Sequence, residues 1–66
     1  MDTTKLEQVR KDIENALQVV EDVLPYTMGN TFTTLEQVQL DLMYDESLIT
    51  ELIEQEEAAA ADQRQG

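Results

Sequence analysis

Leu6, Val9, Ile13, Ala16, Val20 and Val23 follow one another at spacings of 3, 4, 3, 4 and 3, and Pro25 comes two residues after the last of them. Only an α-helix gathers residues at such spacings onto one side, because about 3.6 residues complete its turn. Leu17 and Leu24 widen the stripe on one flank, and Arg10, Lys11, Glu14, Asn15, Gln18, Glu21 and Asp22 occupy the opposite face. Thr4 and Glu7 stand in the T-x-x-E relation of a capping box, in which each side chain satisfies a free backbone N–H of the other. A helix therefore starts near Thr4 and runs for about 20 residues, roughly 30 Å. Pro25 ends it, since proline has no N–H to continue the ladder.

A second capping box, Thr33 with Glu36, is followed by the same Leu-Glu-Gln-Val phrase at 35–38 that occurs at 6–9. Thr34 with Gln37 offers an alternative box one residue later. The repeat is expected to mark two helix starts built alike. Between them, Pro25 to Thr33 is expected to be a loop, helped by Gly29 and Asn30. It is apolar for a loop, holding Tyr26, Met28 and Phe32. Those side chains either plug the open end of a helical bundle or form a knob for a partner.

The second helix is expected from Thr34 into the alanines at 58–61, with a stripe of Leu35, Val38, Leu42, Ile49, Leu52 and Ile53. Asp45 interrupts that stripe. Either the helix is continuous, or Asp45 or Ser47 caps a new segment after a bend. Leu40, Tyr44 and Leu48 form a separate row on nearly the opposite side, with Met43 between the two. A helix apolar on two sides leaves one of them wet in a simple hairpin. The expected fold is all-α: an antiparallel helical hairpin over residues 1–61 with a fraying tail at 62–66, dimerising into a four-helix bundle. Leu40, Met43, Tyr44 and Leu48 are the expected self-association or partner row, with Tyr26 and Phe32 as further contacts.

The chain has 66 residues and neither cysteine nor histidine, so disulfides and the usual zinc sites are closed to it. Ser47 is the lone serine and nothing in the sequence activates it. Gly29 and Gly66, the two glycines, cannot build a phosphate loop. A non-enzyme without cofactor is expected. Asp41, Asp45 and Glu46, and also Glu54 and Glu57, lie close along one helix, but the central glycine of an EF-hand is absent and no metal is expected. No apolar stretch approaches the roughly 18 residues of a membrane span, and the start of the chain has no apolar leader core. The expected location is the cytoplasm, or a host cytoplasm for a viral protein.

The net charge is −11, with Lys5, Arg10, Lys11 and Arg64 as the basic residues and thirteen carboxylates between Asp12 and Gln63. Such a surface repels nucleic acid and anionic membranes and favours basic partners. Solubility alone is the plain explanation of the charge. The sharper one is display to a basic surface by Asp41, Asp45, Glu46, Glu51, Glu54 and Glu57. On that basis the expected function is a small acidic, non-catalytic inhibitor or regulator of viral or mobile-element type. It would bind a larger basic protein, as a homodimer, in the manner of a nucleic-acid mimic. The alternative is a structural, assembly or chaperone-type adaptor that pairs through the apolar face of the second helix.

Overall fold

The computed structural model describes the backbone of residues 2–65 and the side chains of residues 2–61, so the side chains of the expected tail at 62–66 lie outside the described residues. The chain forms helix α1, Thr4–Val23, one 3-10 turn over Leu24–Tyr26, and helix α2, Gly29–Gln65, with no strand among the described residues. The two helices pack against one another across a link of five residues, 24–28, made of the 3-10 turn with Thr27 and Met28, as an antiparallel hairpin.

α1 begins where expected, but by a different device. Thr4 and Glu7 make no capping box. Asp2 Oδ1 accepts from the Thr4 backbone N–H at 3.0 Å and from Thr4 Oγ1 at 2.8 Å, an Asx-type turn that ties down the first turn. These bonds, the backbone one foremost, hold the Asp2 carboxyl below its ordinary pKa. At the far end the Leu24 carbonyl accepts from the Thr27 N–H at 3.1 Å and from Thr27 Oγ1 at 2.8 Å, which closes the 3-10 turn before the chain reverses.

α2 starts five residues before the expected position, and the expected Pro25–Thr33 loop shrinks accordingly. Gly29, at φ +63°, makes the left-handed turn that launches the helix. Thr33 is then inside α2, where its hydroxyl donates back to the Gly29 carbonyl at 3.2 Å. It therefore caps nothing, and the second capping box is overturned. Ser47 likewise bonds back to the Met43 carbonyl at 3.2 Å, and α2 passes through Asp45 as one uninterrupted helix. Thirty-seven residues of helix reach about 55 Å at 1.5 Å per residue. The long axis of the molecule measures 56 Å, so α2 spans it end to end without a sharp kink.

The hairpin is a rod. Its radius of gyration is 16.1 Å, against about 11 Å for a compact chain of this length. It exposes 5176 Å², where a compact monomer of 7.5 kDa exposes about 4,250 Å². Folding thus hides roughly half of the extended chain's surface, less than the roughly 60% usual for a domain of about 60 residues. Ile53, at 4% exposure, is the one buried hydrophobic side chain among the described residues.

Candidate functional site

The half-buried positions define the seam between the helices. In α1 and the turn after it they are Leu6, Arg10, Ile13, Leu17, Val20 and Leu24, and in α2 Leu35, Gln39, Leu42, Glu46, Ile49 and the buried Ile53; Thr27, Thr50 and Glu56 are half-buried as well, outside this set. The spacings alternate 4 and 3 throughout, which is a heptad seam of a and d positions. Each position of α1 recurs 29 residues later in α2. The repeated Leu-Glu-Gln-Val is the visible part of this correspondence. In both copies the leucine lies in the seam and the glutamine donates to an aspartate one turn on: Gln8 to Asp12 at 2.9 Å and Gln37 to Asp41 at 3.0 Å. The phrase marks a shared way of sitting in a helical pair, not two helix starts.

The seam differs from the expected stripes. Leu17 and Leu24 belong to its centre, whereas Val9 and Val23, each 43% exposed, lie on a flank together with the exposed Ala16. Arg10, expected on the far face, is half-buried in the seam, its Nε 3.9 Å from Glu14 Oε1. In α2, Val38 and Leu52 also move to the flank, at 37% and 44% exposure, with Asp45 exposed between them. Gln39 and Glu46 are the residues that enter the seam. A strict a/d seam is narrower than the apolar stripe, which covers three positions per heptad.

The two flanks have opposite character. The local two-fold axis of an antiparallel pair is perpendicular to the plane of the two helices, so equivalent flanks of both lie on the same broad face. One face carries the g positions: Val9, Ala16 and Val23 from α1, and Val38, Asp45 and Leu52 from α2. The other carries the e positions, which are Glu7, Glu14 and Glu21 from α1 and Glu36, Met43, Thr50 and Glu57 from α2. The hairpin is apolar in front and acidic behind. Sequence reasoning missed this segregation because it follows from which two of three apolar positions the seam takes. The signal that finds it is the 29-residue recurrence itself.

The expected acidic surface is not one surface. Glu57 lies on the acidic face, Asp45 on the apolar one and Glu46 in the seam, while Asp41, Glu51 and Glu54 point outward from the back of α2. Among the described residues no group of three or more carboxylates is placed to hold a metal ion. Leu40, Tyr44 and Leu48 are exposed on the back of α2, with Met43 beside them on the acidic face. At the hairpin tip Tyr26 and Met28 are 88% and 84% exposed, so they plug nothing within this chain, and Phe32 is at the edge of exposure beside them. A shallow hollow near the tip is lined by Asn30, Thr31, Thr34 and Leu35. No helix among the described residues is long and apolar enough to cross a membrane. No protein-family model, curated protein or solved structure matches the chain.

Proposed function

We propose that this protein is a small acidic, non-catalytic binding module that occupies a basic surface of a larger protein, as an inhibitor or regulator of viral or mobile-element type. It would work as a homodimer in a cytoplasm, a host's if the protein is viral. The observation that carries the reading is the acidic broad face, with Glu7, Glu14, Glu21, Glu36 and Glu57 exposed along the rod. Carboxylates set out on a rigid helical frame attract a cationic surface without the entropy loss of ordering a flexible tail. Charge density supports mimicry of nucleic acid. Fifteen carboxylates over 56 Å give one per about 3.7 Å, and two hairpins side by side give one per about 1.9 Å, close to the roughly 1.7 Å of duplex DNA.

The adaptor reading keeps one specific support. Leu40, Tyr44 and Leu48 make an exposed apolar row on the back of α2, of the kind that docks in a partner's groove. Capture of partners from extracts of the native host separates the two. Glu7→Gln, Glu14→Gln and Glu21→Gln together should lower capture by the acidic face, and moderate salt should lower it steeply. Capture indifferent to both, but lost on Leu40→Lys with Leu48→Lys, would replace the electrostatic reading with the adaptor.

A further inference from the structure

We infer that the face carrying Val9, Ala16, Val23, Val38 and Leu52 is where a second copy of this chain packs, giving a four-helix bundle of two hairpins. The inference takes from the proposed function only that the protein acts as a dimer, and it places the contact on the front of the hairpin, not on the Leu40–Tyr44–Leu48 row. Three observations carry it.

The first is the width of the apolar stripe. Two apolar positions per heptad suffice for a two-helix seam, and a third is what helices of a four-helix core present. Here the third position is apolar throughout α1 and, except at Asp45, in α2, and the antiparallel geometry brings the two flanks onto one face. The back row recurs in α1 only in part: Lys11 and Asn15 stand where α2 has Leu40 and Tyr44, and the exposed Val19 matches Leu48.

The second is charge. A chain of net charge −11 can meet its own copy only across a surface poor in carboxylates. On the front face only Asp45 is ionisable, whereas the opposite face carries five glutamates. Pairing front to front therefore turns both acidic faces outward, where the basic partner is met.

The third is area. The hairpin exposes about 900 Å² more than a compact monomer of its mass, and a stable interface takes about 800 Å² from each partner. The isologous pairing of two front faces closes the assembly at two copies.

Sedimentation equilibrium on the full chain tests the assignment. Val9→Glu with Val38→Glu should weaken self-association by roughly a hundredfold or more, because the pairing would bury unpaired carboxylates. Leu40→Lys with Leu48→Lys should leave it in place, and Asp45→Asn should strengthen it. Added salt should also strengthen it, the opposite of its effect on a basic partner. The chain has no cysteine, so single-cysteine variants give a readout that does not depend on a charged variant folding. A thiol at Ala16→Cys should react more slowly as protein concentration rises, while one at Ser47→Cys reacts at a constant rate. Protection at 47 and not at 16, or dissociation caused only by the Leu40 and Leu48 changes, would move the interface to the back of α2. A wild-type chain that stays monomeric at millimolar concentration overturns the dimer but leaves capture by the acidic face to be judged on its own experiment.

Discussion

Gln37 donates its side-chain amide to Asp41 at 3.0 Å, and Gln8 makes the same bond to Asp12 at 2.9 Å at the equivalent place in α1. Both bonds join residues one turn apart on an exposed helix surface, and such pairs stabilise by about 0.2–0.5 kcal/mol. Gln8→Ala and Gln37→Ala should therefore have small effects of similar size in urea denaturation followed by helical circular dichroism. A loss several times larger at one site would show that the two copies of the phrase are not equivalent.

Thr33→Ala distinguishes a helix start from a helix interior. An N-cap threonine replaced by alanine costs about 1 kcal/mol. Inside α2, where Thr33 bonds back to the Gly29 carbonyl, alanine has the better helix propensity, so the variant should be neutral or more stable by a few tenths of a kcal/mol. A thermal midpoint lowered by several degrees would restore the capping role.

Gly29→Ala should destabilise the hairpin by about 1–2 kcal/mol. An added Cβ would meet no atom within 4 Å, so the penalty comes from the left-handed backbone at φ +63° and not from crowding. Gly29→Asn should recover part of the loss, since asparagine tolerates this conformation better than alanine. Equal losses in both variants would point to some other cause.

Asp2 links the start of α1 to pH. Its hydrogen bonds to Thr4 lower its carboxyl pKa in the folded chain, so its contribution is fully present above the usual aspartate range. It is lost as the pH falls through the lowered value. Amide exchange at Thr4 should speed up relative to the middle of α1 on acidification, and Asp2→Ala should abolish that dependence. An Asp2 carboxyl titrating by NMR at or above the ordinary value would contradict the assignment.

Ile53→Ala should cost about 2–5 kcal/mol, the range for a buried isoleucine truncated in place. Leu17→Ala and Leu42→Ala remove half-buried side chains and should cost less in a dilute hairpin. Denaturation at two protein concentrations checks this, and their cost should rise toward the full value where copies associate.

Much of this architecture was legible because its signals are local. The 3–4 spacing from Leu6 to Val23 fixes one helix and Pro25 fixes its end, since both act within a turn of where they are written. The start of α2 was not legible. Gly29 resembles a loop residue unless its left-handed role is known, and a threonine three residues before a glutamate reads alike at a helix end and inside one. The candidate faces were half legible. Every apolar position of the wide stripes was identified from spacing, but which two of each three the paired helix would cover depends on a neighbour distant in sequence. Arg10 and Glu46 show the same limit, for a long side chain can lie in a seam with its charged end near water.

The 4–3 spacing shared by α1 and α2 means that a slide by one heptad, a shift of about 10 Å, would again set seam positions against seam positions. What opposes the slide is the tether. Five residues, 24–28, join α1 to α2, and the bonds from Thr27 back to the Leu24 carbonyl fold them into the 3-10 turn, so a slide would first have to open that turn. The order of this molecule is written less in its grease than in the shortness of its knot, and a few added residues there would free it to choose among several partners within itself.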